Sequence, residues 1–276
     1  MRVIRDVGTL RTALADGGRT GLVPTMGAFH EGHLSLIRAA RAACDLVVVW
    51  LFVNPTQFNE AADLANYPRD EERDAALAAG CGADILFAPA VEQVYPAGFA
   101  TTVTVAGLGE TLEGAHRPGH FAGVATVVAK MLNMAGPDVA YFGAKDAQQV
   151  AVVRRMVRDL DIPTRIEVLP TVRDADGLAL SSRNVRLDAE ERGRATALYR
   201  GLCAGRAALA AGEHDAAALT KLVEETLVRA GVAVEYVAVV DLDTFEPVAR
   251  VERPALVAVA GWVGATRLID NLEVAP

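Results

Sequence analysis

Cysteine is scarce in this chain, with three residues among 276, at positions 44, 81 and 203. An odd number of widely spaced thiols supplies neither a disulfide framework nor a Cys-x-x-Cys redox or zinc pair. They read as small buried hydrophobes in a protein of the reducing cytoplasm. Long apolar runs are missing too. The most apolar stretch, residues 46–53, reads Leu-Val-Val-Val-Trp-Leu-Phe-Val, far short of the about 20 residues of a membrane-spanning helix. No membrane partner is expected. The opening Met-Arg-Val-Ile-Arg-Asp has no apolar core of a signal peptide. Positive charge is in deficit: 27 Lys and Arg stand against 35 Asp and Glu, a net charge of −8. That argues against nucleic acid as a partner, but not against a small anion held by local cations. No internal repeat is visible.

What is present is apolar residue, 52% of the chain, enough for a sizeable core and against wholesale disorder. The length fits one large domain or two smaller ones. A strand is predicted over 20–23. Residues 46–53, rich in β-branched and aromatic side chains, read as a central parallel strand buried on both faces. A polar loop over 54–68 and a charged helix over 70–79 follow, then a strand over 83–88. The β-branched alternation at 101–105 predicts another strand. Residues 121–135 are apolar nearly all round, as in a buried helix. A short strand over 139–142, a helix over 144–160 and a strand over 165–169 complete the series. Repeated β-α-β order implies an α/β fold, a doubly wound and mostly parallel sheet with helices on both faces. Such sheets bind ligands at the carboxyl ends of their strands, where strand order reverses.

The pattern changes near residue 184. Asp188-x-x-Glu191 resembles a helix capping box. One long Ala-rich helix to about 211 and a second over 215–230 are expected. Strands follow over 234–242, 255–263 and 266–274, the last two joined by a short turn at Gly264 and Ala265. This is the order of a smaller C-terminal α+β domain, so the expected domains are 1–184 and 185–276.

Residues 24–33 carry the most chemistry, reading Pro-Thr-Met-Gly-Ala-Phe-His-Glu-Gly-His. They follow a predicted strand and open a predicted helix whose apolar positions include Leu34, Ile37, Ala40 and Cys44. A helix N-terminus offers unpaired N–H groups and partial positive charge to phosphate. Gly27 and Gly32 allow close approach to the backbone. His30 and His33 share a helical face and can donate hydrogen bonds or protons to charge developing on phosphate. Capping or surface histidines are the plain alternative. Metal ligation is a third, although His-x-x-His lacks the usual spacing and a third ligand.

Three more segments follow strands or close the first domain. In Asn54-Pro-Thr-Gln-Phe, Gln57 offers a donor and an acceptor, although Asn-Pro is also an ordinary turn opener. In Phe142-Gly-Ala-Lys-Asp-Ala-Gln-Gln, Gly143 permits close approach, and Lys145 sets its charge against the helix dipole. Asp146 and Gln149 face the same way there, whereas Gln148 points elsewhere. In Leu180-Ser-Ser-Arg-Asn, the hydroxyls of Ser181 and Ser182 and the fork of Arg183 suit a polyphosphate, or else form a capped turn. Arg117 and His120, around Pro118-Gly119, are candidate anion contacts. The first two segments and the decapeptide can converge on one rim of the sheet.

Taken together, residues 24–33, 54–58, 117–123, 142–149 and 176–184 resemble the pantothenate synthetase family, the pantoate–β-alanine ligases, in order and spacing over essentially the whole chain. The His-x-Gly-His element is similar to that of the wider nucleotidylyl-transferase superfamily. The resemblance implies a Rossmann-like fold and a two-step reaction. ATP and (R)-pantoate form a pantoyl adenylate and pyrophosphate, and β-alanine then displaces AMP. By resemblance Met26, Gly27, Ala28, Phe29, His30, Glu31, Gly32 and His33 bind ATP, with His33 the catalytic proton donor and His30 its partner. Lys145, Ser181, Ser182 and Arg183 hold the polyphosphate. Gly143, Ala144 and Asp146 border the nucleotide, with Val172 and Leu180 near adenine and ribose. Gln57 and Gln149 bind pantoate, and Gln57 also meets β-alanine. Mg²⁺ is expected with ATP rather than in a protein metal site, and a homodimer is implied. One departure stands out: Ala144 occupies the place of the family's usual Glu, which predicts weaker ATP binding. Two other readings stay open, a ligase adenylylating a different small acid and a nucleotide-binding regulator without turnover.

Overall fold

The structure is a computed structural model and describes residues 1–15, 17–59 and 61–276. Its contacts divide the chain into two units, Met1–Ala144 with Gln148–Pro170, and Lys145–Ala147 with Thr171–Pro276. In the first unit β1 (Arg2–Ile4), β2 (Thr20–Thr25), β3 (Leu46–Leu51), β4 (Ile85–Phe87), β5 (Val139–Gly143) and β6 (Arg165–Leu169) form one sheet, ordered β1-β4-β3-β2-β5-β6. Every pairing in it is parallel. From β2 the chain builds outward through β3 and β4, then returns to the other side of β2 with β5 and β6. The reversal therefore lies between β2 and β5, where α/β sheets open a crevice at their carboxyl ends.

The helices of this unit are α1 (Val7–Leu14), α2 (Glu31–Ala43), α3 (Ala61–Ala65), α4 (Glu71–Gly80), α5 (Val91–Val94), α6 (Glu113–His116), α7 (His120–Ala135) and α8 (Ala147–Asp159). Successive strand residues face opposite sides. Val23, Val47, Val49 and Leu86 pack with Phe29, Ile37 and Ala40 of the α2 region and Ala78 of α4. The alternate residues Leu22, Val48, Trp50 and Phe87 are buried as well. Trp50 meets Phe87 edge-on, with ring centroids 4.7 Å apart. Residues buried on both faces are what the β-branched run at 46–53 predicts.

In the second unit β7 (Ala233–Asp241), β8 (Ala255–Val263) and β9 (Thr266–Val274) form an antiparallel sheet in that order. It packs with α9 (Ala189–Ala195), α10 (Ala197–Ala210) and α11 (Ala216–Arg229) around a core that includes Leu198, Leu202, Val223, Leu227, Val257 and Val259. The expected capping box is present: Asp188 Oδ1 accepts from Glu191 N at 2.8 Å, and Glu191 Oε2 accepts from Asp188 N at 3.1 Å.

Several expectations differ from the structure. Residues 101–105 are not a strand, and the Val103 N–H is taken by Thr126 Oγ1 of α7 at 2.9 Å instead of a ladder partner. The long helix after residue 188 is two helices meeting at Thr196. The polar loop 54–68 holds a 3₁₀ turn, Pro55–Gln57, and the short α3; Glu60 within it lies outside the described residues. The sequence pattern sets a boundary after Asn184, whereas the second unit already takes in Thr171. The reason is that Leu178 sits in its core and Arg173 pairs with Asp270. Among the described residues no helix is long and apolar enough to cross a membrane.

Gly123 of α7 sets how closely that helix approaches the 3₁₀ turn. A Cβ there would lie 2.4 Å from the Thr56 carbonyl oxygen and 2.7 Å from its carbon. Both are backbone atoms and cannot rotate away. Gly123→Ala is therefore expected to destabilise by about 1–3 kcal/mol despite its better helix propensity. A urea midpoint at or above the parent's would show that the turn gives way freely.

Candidate active site

The strand–turn–helix of the decapeptide carries the candidate residues of the first unit. Gly27 and Ala28 are consecutive left-handed residues, at φ 90° and 54°. Such a conformation suits glycine and strains alanine. It turns the chain sharply between the end of β2 and the start of α2. Asp74 of α4, with its side chain 1% exposed, lies behind the turn. Its carboxylate accepts from Ala28 N at 2.7 Å and from Phe29 N at 2.8 Å. A Cβ on Gly27 would come 3.0 Å from Asp74 Oδ2 and 2.9 Å from Leu51 Cδ1, so the turn is fixed sterically as well.

His30 is the N-cap of α2. The imidazoles of His30 and His33 lie together, with centroids 4.1 Å apart and planes tilted by 38°. Phe29, buried beneath, is 5.5 Å from the His33 ring. The His30 N–H points at His33 Nδ1 over 3.4 Å, a long hydrogen bond. With Nδ1 accepting, a neutral His33 carries its proton on Nε2, an assignment made from this contact. The Glu31 carboxylate, exposed, is paired with Arg38.

Gln57 stands at the end of the 3₁₀ turn after β3 and is buried. Its Oε1 accepts from Asn54 Nδ2 at 3.0 Å, and its Nε2 points to Met26 Sδ at 3.0 Å. Asn54 is fixed in turn. Its Nδ2 also donates to the Gly123 carbonyl at 3.2 Å, and its Oδ1 accepts from Tyr95 Oη at 2.8 Å. Burial pushes the Tyr95 phenol above its ordinary pKa, against the hydrogen bonds with Thr56 and Asn54. Tyr95 therefore stays a donor. Arg117 and His120, candidate anion contacts in sequence, both reach the backbone carbonyl of Gln57, at 3.2 and 2.9 Å. The structure gives them a supporting position behind Gln57. Gln148 and Gln149 part as the helical spacing predicts. Gln148 is buried and bonds Leu108 O, Thr111 O and Glu113 N. Gln149 is half-buried, and its side chain has no hydrogen bond among the described residues. Gly143 ends β5, and a Cβ there would meet nothing within 4 Å.

The second unit holds the cationic residues. Lys145 keeps its Nζ 3.9 Å from Asp146 Oδ1, and its carbonyl accepts from Asn271 Nδ2 of β9 at 2.8 Å. Val172 and Leu180 are brought together by a hairpin, with Leu180 N donating to Val172 O at 3.0 Å. Between them Arg173 binds Asp270 with both guanidinium nitrogens, at 2.6 and 2.9 Å, and stacks over Tyr199 at 3.9 Å. Arg192 reaches Asp174 and Asp176 at the tip. Ser181 caps the 3₁₀ helix Ser182–Arg186, its Oγ accepting from Arg183 N at 3.2 Å. A hydroxyl that accepts this bond still has its O–H to donate. Ser182 and Arg183 follow in that helix, half-buried.

Sequence reading missed Asp74, Asp270 and Asn271. Asp74 reads as one more acid in the first turn of a charged helix, and the two β9 residues as polar positions of an alternating strand. No local pattern marks any of them. Among the described residues no group of three or more His, Cys, Asp or Glu side chains is arranged to hold a metal ion.

A parallel sheet with its reversal at β2 and β5, and a paired-histidine turn at the end of β2, define an α/β enzyme of the nucleotide-binding type. The chain belongs to the pantoate-beta-alanine ligase family, whose sequence profile matches residues 2–273. It is 54% identical to a pantothenate synthetase of Chelativorans sp. over 99% of this chain and 98% of that one. It is 52% identical to that of Moorella thermoacetica at the same coverage. Among solved structures, the pantothenate synthetase of Thermus thermophilus superimposes with a TM-score of 0.96 at 50% identity, covering 100% of both chains. The pantoate-beta-alanine ligase of Francisella tularensis, complexed with beta-gamma ATP and beta-alanine, gives 0.80 at 33% identity, covering 99% of this chain and 97% of that one. This chain is a pantothenate-forming ligase.

The Arg173–Asp270 pair generates a stability prediction. Both side chains are largely buried, at 14% and 2% exposure, so removing one partner strands a charge in the interior. Asp270→Ala is expected to cost about 3–5 kcal/mol. Denaturant unfolding of the second unit's tertiary signal measures it, and a loss under about 1 kcal/mol would mean that solvent reaches the pair freely.

Proposed function

We propose that the chain joins (R)-pantoate to β-alanine in two ATP-dependent steps. First, a pantoate carboxylate oxygen attacks the α-phosphorus of ATP, and the bond from that phosphorus to the bridging oxygen of pyrophosphate breaks. Pyrophosphate leaves and pantoyl adenylate remains. Second, the amine of β-alanine attacks the acyl carbon, the acyl carbon–oxygen bond to phosphate breaks, and AMP departs with both bonding electrons. The amine gives up its surplus proton to solvent. Adenylation is needed because a carboxylate is a poor acyl electrophile and a phosphoanhydride supplies a good leaving group.

The observation that carries this reading is the paired imidazoles of His30 and His33 at the end of β2. In the first step negative charge grows on phosphate oxygens, and donors fixed in place stabilise it. His33 is the proton donor and His30 its partner. Met26, Gly27, Ala28, Phe29, Glu31 and Gly32 form the nucleotide-binding turn, and Gly143, Ala144 and Asp146 border the nucleotide. Lys145, Ser181, Ser182 and Arg183 hold the polyphosphate, with Val172 and Leu180 by adenine and ribose. Gln149, with its amide unengaged, and Gln57 bind pantoate; Gln57 also meets β-alanine, and on binding its Nε2 exchanges the weak Met26 acceptor for a substrate oxygen. Mg²⁺ comes with ATP, as this ion commonly binds through substrate phosphates and one or two carboxylates, and Asp146 is the carboxylate beside Lys145. When bound it neutralises phosphate charge. The family resemblance supports a homodimer, which sedimentation velocity reads. Three free cysteines support a cytoplasmic setting.

The deciding experiment follows pyrophosphate and AMP from ATP and Mg²⁺. With (R)-pantoate alone, at most one equivalent of pyrophosphate per site is expected; β-alanine should then start continuous AMP release. ATP binding with no release under either condition would overturn the reading. His33→Ala is expected to lower kcat by about 10²–10³, the cost of a lost transition-state donor, and Lys145→Ala to be similarly damaging. Unchanged kcat in folded His33→Ala would remove His33 from the role. Ala144→Glu should lower the KM for ATP, and equal values in the two proteins would show the departure at 144 to be neutral.

A further inference from the structure

We propose that Asp74 is a positioning residue of the histidine pair, holding the left-handed turn so that His33 presents its Nε2–H to the reacting phosphate. The inference rests on the donor role proposed for His33. Asp74 comes from a separate helix, 41 positions beyond His33 in the chain, and its carboxylate bonds the backbone of the turn rather than either ring. That carboxylate is nevertheless 1% exposed, and both of its oxygens are used, one by Ala28 N at 2.7 Å and the other by Phe29 N at 2.8 Å. A carboxylate taken out of water needs such compensation.

Capping of α4 does not account for this burial. Asp70 is already the N-cap of α4, its Oδ1 accepting from Arg73 N at 3.0 Å. The Arg73 guanidinium lies 3.8 Å away with its side chain 56% exposed, so that ion pair does not account for it either. What the carboxylate satisfies is the turn. Ala28 sits at φ 54°, a conformation that an alanine does not hold unaided, and the next amide is fixed with it. The amide after those, of His30, points at His33 Nδ1. Three successive N–H groups are thus assigned in order, two to Asp74 and one to the ring. The last contact keeps the His33 proton on Nε2. Releasing the first two frees the turn to relax out of the left-handed region and carries the His30 amide away from His33.

A double-mutant cycle on the full chain tests this, using Asp74→Asn and His33→Ala with pyrophosphate formation as the readout. Asparagine keeps the volume but offers only one acceptor, so one amide meets an NH₂ group. Asp74→Asn is expected to lower kcat for adenylation about 10- to 100-fold, the scale of a slightly misplaced catalytic group, with the KM for β-alanine unchanged. In the His33→Ala background it should add less than about threefold, because coupled residues are not additive. Multiplying losses would overturn the inference, as would full activity in folded Asp74→Asn while His33→Ala alone is damaging. If His33→Ala alone is silent, the donor reading fails and takes this inference with it. Should Asp74→Asn fail to fold, amide hydrogen exchange on the unaltered protein decides. Ala28 and Phe29 are expected to exchange as slowly as the amides of β2, and exchange at the rate of open loops would overturn the clamp.

Discussion

The ladder around β2 is the constraint on which the first unit depends. β2 is hydrogen-bonded in parallel to β3 along its whole length and to β5 at Gly21 and Leu22. A parallel strand needs a crossover to reach its neighbour, so each return of the chain must lay a helix against the sheet. Two neighbours on opposite sides of β2 then force the crossovers to diverge at its carboxyl end. The decapeptide begins where β2 runs out. Its position is a consequence of topology, and its conformation, with Gly27 and Ala28 both left-handed, is a consequence of having to turn at once into α2.

The second unit reaches the same kind of order by a different interaction. Its sheet is antiparallel and one strand, β9, supplies the fixing groups. Asp270 takes the Arg173 guanidinium, and Asn271, the next residue, donates to the Lys145 carbonyl. Because adjacent strand residues point to opposite faces, two neighbouring positions can serve two segments far apart in the chain. The hairpin carrying Val172 and Leu180, and the Lys145 backbone, are therefore referred to a single rigid strand. A flexible Lys is a point charge on a long stem, so what the protein can control is the anchoring of its backbone, and Asn271 does that.

How much of this was legible in sequence depends on whether a feature leaves a local pattern. β8 and β9 follow from strand-like runs either side of Gly264, and their bounds agree with the predicted ones. The helix spacing that separates Gln148 from Gln149 also holds. The break at Thr196 left no mark, because Ala-rich sequence is helical on either side of it. Residues 101–105 have the composition of a strand, but a strand requires a partner edge, and their amide goes to Thr126. β1 is three residues long, too short for any periodicity. The family's positions could be carried over by resemblance, whereas Asp74, Asp270 and Asn271 act through tertiary contacts that no window of sequence contains. Arg117 and His120, read in the sequence as residue types suited to an anion, also support the carbonyl of Gln57, a tertiary contact that their local pattern does not announce.

The same tertiary contacts bear on how the proposed site would recognise phosphate. A helix N-terminus attracts anions through its unpaired N–H groups, and the sequence offered that reason for a site at α2. In the structure Ala28 and Phe29 give their amides to Asp74, and His30 gives its amide to His33. His33 and Leu34 give theirs to the His30 carbonyl. Met26 and Gly27 of the turn, and Glu31 and Gly32 of the first helical turn, keep backbone N–H groups without a hydrogen bond among the described residues. A buried negative carboxylate behind the turn further offsets the positive end of the helix. In the proposed site the Ala28, Phe29 and His30 amides are therefore not available to phosphate, and side-chain donors would supplement the backbone N–H groups that remain. Two histidines placed one helical turn apart suit that division of labour. An imidazole N–H is a directional donor that can also carry the proton, whereas a fixed amide can only donate a hydrogen bond. Three successive amides of the turn, of Ala28, Phe29 and His30, fix its geometry, and that geometry places the rings.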